Sequence, residues 1–195
     1  MIRIESFTYP NIPRHMQSLS ALRMAVFRAW PYLYDGSMPS EADTLSGFAV
    51  SKTALLIIAF DGDTPVGAST AVQMTEEDDH ITLPFREAGI DVSRICYFGE
   101  SVLLDTYRGR GIGVRFFDLR EAHARAIPGV DMCTFCAVQR PDDHKLKPPS
   151  AVPLDAFWAK RGYSRTDLSC TMKWKQVDTE GKVENILRFW TKSLA

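Results

Sequence analysis

The stretch Tyr107-Arg-Gly-Arg-Gly-Ile-Gly113 separates a β-rich run at 95–104 from a segment of helical periodicity that carries Val114. Glycine at every second position lets the backbone turn tightly with its N–H groups converging. The N-terminus of the following helix adds partial positive charge, and Arg108 and Arg110 add full charges. The stretch therefore predicts a turn that holds a phosphate or pyrophosphate. The alternative is a plain strand-to-helix turn with two solvated arginines.

Two common phosphate-binding patterns do not fit this turn. A dinucleotide fingerprint G-x-G-x-x-G that begins at Gly109 needs glycine at position 114, where the chain has Val114. A P-loop needs a Gly-Lys-Ser/Thr ending, which the turn lacks. The spacing therefore indicates a phosphorylated ligand of another class.

Outward from the turn, strands and helices alternate along the chain. Strands are predicted at 2–9, 53–60, 65–73, 95–104, 132–138 and 168–175. Helices are predicted at 13–30, from Ser40 through Phe48, at 81–89, directly after the turn, and around Phe157 and Trp158. We expect 183–194 to be helical or irregular. The hairpin at Asp61-Gly-Asp-Thr64 is antiparallel, and the strand, helix and strand across 95–138 are expected to pair in parallel.

The predicted fold class is α/β of the α+β type, with a mixed, mostly antiparallel, twisted central sheet flanked by helices. A length of 195 residues, 45% hydrophobic and 24% charged, suits one globular domain over 1–195. The net charge of −1 gives no global field that attracts nucleic acid or anionic lipid, so neither is expected as a partner. The longest apolar stretch, 53–60, is too short to span a bilayer, and the N-terminus does not resemble a signal peptide, so we expect a cytoplasmic protein.

The four cysteines lie in apolar, strand-like contexts, which suits reduced, buried thiols. Cys133 and Cys136 have redox or zinc spacing, but a strand directs them to opposite faces and no second ligand pair exists in the sequence. We expect no metal site.

The turn resembles the acyl-CoA motif of the GNAT superfamily of N-acetyltransferases, Gln/Arg-x-x-Gly-x-Gly/Ala, in Arg108-x-x-Gly111-x-Gly113. Residues 157–163 are similar to that family's F-Y-x-x-x-G-F segment, and the elements follow the family's order. The resemblance implies a single GNAT-like domain that transfers acetyl from acetyl-CoA, its co-substrate, to an amine. The cofactor-binding residues that it implies are Val102, Leu103 and Leu104 on the strand, Arg108, Gly109, Arg110, Gly111, Ile112 and Gly113 in the turn, and Trp158.

Acetyl transfer to an amine needs a proton acceptor, because an amine with a pKa near about 10.4 is protonated at neutral pH. Glu100 is the first candidate, since it lies in the strand where the family commonly places such a glutamate; a structural ion pair is the alternative. His144 is the second candidate because imidazole titrates near neutral pH, the alternative being an exposed loop residue.

The acceptor pocket is expected at the connection between the first two helices. Tyr32, Tyr34 and Asp35 would supply aromatic walls and a carboxylate for a small-molecule or peptide amine, unless they form a packed turn that caps the core. The sequence leaves a homodimer open.

The general acid has no assignment, because Trp158 stands where the family often has tyrosine. That departure keeps open a non-catalytic acyl-CoA-binding module. A nucleotide-phosphate binder that uses the same turn is the third interpretation.

Overall fold

The computed structural model describes residues 1–194, which form eight strands and five α-helices. The strands are β1 (Ile2–Thr8), β2 (Leu55–Asp61), β3 (Thr64–Gln73), β4 (Ile95–Tyr97), β5 (Ser101–Leu103), β6 (Met132–Val138), β7 (Ser164–Lys175) and β8 (Lys182–Ser193). The helices are α1 (Met16–Phe27), α2 (Met38–Val50), α3 (Asp79–Glu87), α4 (Ile112–Ala126) and α5 (Asp155–Lys160). Among the described residues, no helix combines the length and apolar character that crossing a membrane requires.

The strands form one sheet in the order β1-β2-β3-β4-β6-β8-β7, and β5 pairs with β3 beyond the end of β4. Every pairing between these strands is antiparallel except that of β4 with β6, which α4 connects as a parallel crossover. The prediction of a mixed, mostly antiparallel sheet flanked by helices is confirmed. The parallel pairing across the strand, helix and strand is confirmed as well.

Alternation along the strands divides the core between two faces of the sheet. Leu56 and Ile58 of β2 join the cluster that contains residues of α1, α2 and α3, whereas Leu55 and Ile57 join the cluster under α4. The α4 residues Phe116 and Phe117 are buried, as the periodicity after the turn predicts. The two faces therefore have different helices above them, and β4, β5 and β6 lie between.

The prediction for 183–194 is wrong, because this segment is strand β8, which lies between β6 and β7. Asn185, Leu187 and Phe189 are buried in alternation, which is the period-2 pattern of a strand. A polar residue at one inward position and an apolar residue, Ile186, at an outward one hide that pattern in the sequence.

Other boundaries also differ from the prediction; the strand predicted at 168–175, for example, begins at Ser164. The first helix ends at Phe27 rather than Trp30, and a 3₁₀ turn, Ile12–His15, precedes it. The second helix begins at Met38, and the Ser37 hydroxyl accepts a hydrogen bond from the Ser40 amide at 3.4 Å, so Ser37 rather than Ser40 is the N-cap. The predicted strand 95–104 is interrupted at Phe98, Gly99 and Glu100, and this interruption shapes the candidate site.

Candidate functional site

The glycine turn adopts the conformation that its sequence predicts. Gly109 and Gly111 have φ angles of +74° and +81°, in the left-handed region where glycine is favoured. A Cβ atom at either residue would meet nothing within 4 Å, so the turn is open on that side. Gly111 is the N-cap of α4 and provides no side-chain cap for the first amides of the helix. Those N–H groups are therefore available to an anion, as at other helix N-termini.

Arginine side chains surround the turn. Arg108 forms an exposed ion pair with Asp105 at 2.8 Å, and the Arg110 guanidinium lies 5.1 Å from the centre of the Tyr107 ring. A shallow cleft of about 260 Å³ lies beside the turn. It is lined by Ile2, Ile4, Arg110, Gly111, Ile112 and Arg115. The surroundings of the turn thus favour an anionic ligand over a neutral one.

A gap opens in the sheet just before the turn. The last hydrogen bond of β4 toward β6 runs from the Phe98 amide to the Thr134 carbonyl at 2.8 Å. Beyond it, β5 pairs with β3, whereas β6 continues along β8. The sheet therefore splits between β5 and β6, and the split begins at Gly99.

The backbone of β5 presents polar groups to this gap. The Leu104 amide donates to Val66 and the Glu100 carbonyl accepts from the Thr70 amide, at 3.0 Å in both cases. Since N–H and C=O groups alternate sides along an antiparallel strand, those of Leu103 point away from β3 and into the gap. The Val102 side chain is fully buried, whereas Leu103 and Leu104 are partly exposed.

Glu100 lies where the strand is interrupted, and its carboxylate is held on both sides. The Thr70 hydroxyl donates to Oε2 at 2.5 Å and accepts from the Glu100 amide at 2.8 Å. Arg23 Nη1 donates to Oε1. Glu100 is therefore a carboxylate held in a fixed orientation, and its side chain is 14% exposed.

Glu100 belongs to a network of side chains that extends into α2, which we call the Arg23 network. Its members are Arg23, Tyr34, Glu41, Thr70 and Glu100. Arg23 Nε donates to Glu41 Oε2 at 2.6 Å, and the Tyr34 hydroxyl donates to Glu41 Oε1 at 2.8 Å. Glu41 has no solvent exposure. Burial alone would lower the pKa of Arg23, but the two carboxylates more than offset this and raise it. The network joins α1, the connection to α2, α2 itself and the interrupted strand.

The predicted acceptor residues Tyr32, Tyr34 and Asp35 occupy three different environments. The Tyr32 ring packs 4.4 Å from that of Phe27 and 5.9 Å from Trp174 on β7. Tyr34 reaches the Arg23 network through Glu41. The Asp35 carboxylate pairs with Arg28 and Lys175, and its hydrogen bonds with Lys175 and Arg28 lower its pKa. Tyr34 is thus linked to Glu100 through two intermediate side chains, whereas Asp35 is paired with other charges.

His144 lies on the loop after β6, beside the Trp30 ring at a centroid distance of 5.2 Å. Its Nδ1 accepts a hydrogen bond from the Leu146 amide at 3.2 Å. An imidazole nitrogen that accepts from the backbone has its lone pair engaged. The structure shows no contact between His144 and Glu100.

Trp158 lies on α5 and packs against Phe135 of β6 and Trp190 of β8, at 5.1 and 5.2 Å. It is partly exposed on the β6 side of the gap. Tyr163, the nearest tyrosine in sequence, is buried, and its hydroxyl donates to Glu121 at 3.3 Å. The α5 segment therefore packs an indole, and no phenol, against β6 and β8.

Glu77 is a candidate that the sequence analysis missed. It follows the 3₁₀ turn Met74–Glu76, which packs against β4, and it is half-buried. Within residues 1–194, its carboxylate has no hydrogen-bond or ion-pair partner. Burial, followed by the charge of Glu100, raises the pKa of Glu77 to about 7.

Tyr97 and Cys136 are two further groups whose pKa depends on the charge of Glu77. Tyr97 Oη lies 3.2 Å from Cys136 Sγ across β4 and β6. Burial is the main cause of the raised pKa of Tyr97, the hydrogen bond with Cys170 is the main cause of the raised pKa of Cys136, and the charge of Glu77 adds to both. In sequence, Glu77 belongs to the acidic run 75–80, which composition alone assigns to solvent. Only the packing of the turn against β4 reveals it.

No protein-family model matches the sequence, and no curated protein matches it. Solved structures match along the whole chain. The acetyltransferase of the GNAT family from Staphylococcus aureus superposes with a TM-score of 0.60 at 12% identity, covering 100% of each chain. An aminoglycoside 6′-N-acetyltransferase complexed with coenzyme A gives 0.60 at 14% identity, over 99% of this chain and 97% of its own. Arabidopsis thaliana NAA60 in complex with a bisubstrate analogue gives 0.63 at 11% identity, over 100% of each chain.

At these identities the likeness establishes the fold. The chain has the GNAT fold, as the resemblance of its glycine turn implies.

Proposed function

We propose that this protein is an N-acetyltransferase that moves the acetyl group of acetyl-CoA to an amine by direct transfer in a ternary complex. The observation that carries the proposal is the continuity of two features. The edge of β5, with free polar groups at Leu103, leads through Leu104 into the open glycine turn at the start of α4. An extended chain with amide groups and a pyrophosphate at one end is complementary to both.

The chain's own groups divide the binding of the acyl donor. The amides from Gly109 to Gly113 would take the pyrophosphate, with Arg108 and Arg110 adding charge. The backbone of Leu103, flanked by Val102 and Leu104, would pair with the pantetheine amides. Trp158 would cover the arm from the β6 side.

Proton removal from the acceptor amine falls to a carboxylate at the gap. Glu100 and His144, the two candidates from the sequence, have their acceptor atoms engaged by Arg23, Thr70 and Leu146. Glu77 is uncommitted, and a base with a pKa near the working pH is effective in both its forms. We assign proton acceptance to Glu77, while Glu100 supplies a fixed negative charge that attracts an ammonium group.

Protonation of the departing thiolate needs less help from the protein than deprotonation of the amine does. A thiol pKa near about 8.5 lets water protonate the sulfur, so an indole at position 158 is compatible with turnover. The acceptor side, with Tyr32, Tyr34 and the carboxylates, suits a cationic small-molecule or peptide amine.

The first test is a thermal-shift titration with acetyl-CoA, CoA, ATP and NAD. A ligand at 100 times its dissociation constant adds about 2.7 kcal/mol, which raises the unfolding midpoint of a domain this size by roughly 5–10 °C. We expect acetyl-CoA and CoA to shift the midpoint and ATP and NAD not to. A shift by ATP or NAD alone would contradict the proposal.

The second candidate, a non-catalytic acyl-CoA-binding module, is favoured by Trp158 in the tyrosine position. The two are separated by following thiol release from acetyl-CoA with spermidine, phenylethylamine and an unblocked tetrapeptide. Binding of acetyl-CoA without thiol release above the hydrolysis rate for any amine would favour the module.

A further inference from the structure

Arg120 is a buried cation of α4 that neither the glycine turn nor the Arg23 network uses. It is 2% exposed. Its guanidinium lies between two aromatic rings, 4.3 Å from the centre of Phe98 and 4.5 Å from that of Phe117. The Arg120 side chain therefore passes between the Phe98 and Phe117 rings toward the interrupted strand.

The hydrogen bonds of Arg120 leave part of the group unsatisfied. Nε donates to the Phe116 carbonyl at 3.3 Å, and Nη1 to the Glu100 carbonyl at 3.5 Å. Nη2 is buried and has no partner among residues 1–194. A buried N–H without an acceptor is unfavourable, so such an atom is expected to have a partner when the protein is working.

The charge of Arg120 is also unbalanced. No carboxylate lies within ion-pair distance in the described chain. The adjacent Glu121 is held by Lys192, whose Nζ is 2.8 Å from each carboxylate oxygen. Burial lowers the pKa of Arg120 to about 10, which leaves it cationic at neutral pH.

The position of this cation coincides with the base of the gap. The Phe98 amide, directly after β4, forms the last hydrogen bond to β6, and the Glu100 carbonyl accepts from Thr70 of β3. Phe98 and Glu100, two of the residues that Arg120 contacts, therefore lie on either side of Gly99, where the sheet divides. In acyl transfer, negative charge develops first on the carbonyl oxygen of the thioester.

Resting on the proposed function, we propose that Arg120 Nη2 donates to the carbonyl oxygen of the acyl thioester and stabilises the negative charge that develops there. The amine nitrogen bonds to the carbonyl carbon while the C=O π pair moves to oxygen. Collapse re-forms C=O and breaks the C–S bond, sulfur leaves with that electron pair, and the nitrogen loses its proton to the Glu77 carboxylate, which returns it to the thiolate through water. A fixed cation in a site with little water stabilises the tetrahedral intermediate, whose oxygen is negative, more than the reactants or the products.

The test compares two probes that differ only at the carbonyl: acetyl-CoA and S-ethyl-CoA, in which the carbonyl oxygen is absent. We expect the wild type to bind acetyl-CoA up to roughly tenfold more tightly than S-ethyl-CoA, as measured by calorimetry. Arg120→Met should bind both equally and lose about 100-fold or more in kcat. Arg125→Met, an exposed change on the same helix, is the matched control and should retain the preference.

The outcomes separate this inference from the proposed function. An unchanged preference for acetyl-CoA in Arg120→Met, or its absence in the wild type, overturns the role of Arg120 while CoA binding stands. Failure of the wild type to bind either probe refutes the proposed function itself. The Arg120→Met side chain fills the site without a charge, so this variant should fold. If it does not fold, Arg120→Lys, which keeps the charge but loses the planar guanidinium, is expected to retain part of the preference for acetyl-CoA over S-ethyl-CoA.

Discussion

The glycine turn and the Arg23 network reach the same gap from opposite faces of the sheet, and they are built differently. The turn is seven consecutive residues, 107–113, whose conformation follows from its own glycines. The network joins Arg23, Tyr34, Glu41, Thr70 and Glu100, which are spread over 78 positions of the chain. A local element keeps its geometry when its surroundings change, whereas a distributed one depends on each member.

Replacing Arg23 with methionine should break the network and produce the largest effect on stability. Glu41, fully buried, would lose its counter-ion. Removing one partner of a buried pair typically destabilises a protein by about 3–5 kcal/mol. Urea unfolding followed by tryptophan fluorescence measures this change.

Arg94→Met is the matched control, because the Arg94–Asp131 pair is exposed. Exposed pairs contribute little, so its unfolding midpoint should stay at the wild-type value. If Arg23→Met were as stable as Arg94→Met, the network would not be a structural unit, and the contrast with the turn would fail.

Gly111→Val tests the turn alone. Valine is strained at a φ of +81° and would place a side chain where the anion is expected, so CoA affinity should fall by about 100-fold or more, near 3 kcal/mol. Gly129→Val is the matched control, since Gly129 has a φ of +83° and equally open surroundings in the loop before β6. Calorimetry with CoA should show the loss for Gly111→Val only; equal losses would attribute the effect to strain.

The same contrast explains what the sequence could predict. Strand periodicity, the hairpin at 61–64 and the turn at 107–113 are short-range patterns, and they correctly predicted the sheet and the left-handed glycine conformation of the turn. Strand β8 was missed because its inward positions include Asn185, whose amide is satisfied by Gln176 only in the folded chain. The local sequence pattern does not indicate such a pairing between side chains.

The residues of the candidate site likewise differ in whether the local sequence could predict them. Glu100 could be singled out from its place before the turn, but its partner Arg23 lies 77 positions away and has no local signal. Glu77 belongs to a run whose composition is typical of solvent-exposed loops. Its environment comes from β4 and from Glu100, so only the tertiary structure distinguishes it from Glu76 and Asp78.

Glu77→Gln tests whether Glu77 is the carboxylate that accepts the proton of the acceptor amine. The base form must be ionised, so wild-type kcat should rise with pH through about 7, the pKa that burial and Glu100 give Glu77. The variant should lack this rise and turn over about 100-fold more slowly at pH 8. Asp79→Asn, an exposed change two residues away, should keep both the rate and the profile. A retained rise near pH 7 in Glu77→Gln would transfer the role to another group.

Trp158→Tyr carries the smallest expected effect and tests whether the turn side of the gap needs an acid. If water protonates the departing thiolate readily, because the thiol pKa near about 8.5 makes this the easier proton transfer, a phenol at position 158 adds little. We expect kcat to change by less than about threefold, since general acid catalysis contributes only where proton transfer limits the rate. Trp158→Phe keeps the packing against Phe135 and Trp190 without a hydroxyl, and comparing the two variants isolates the oxygen. A tenfold gain with tyrosine alone would show that protonation of sulfur limits turnover and that the wild-type site lacks a general acid at position 158.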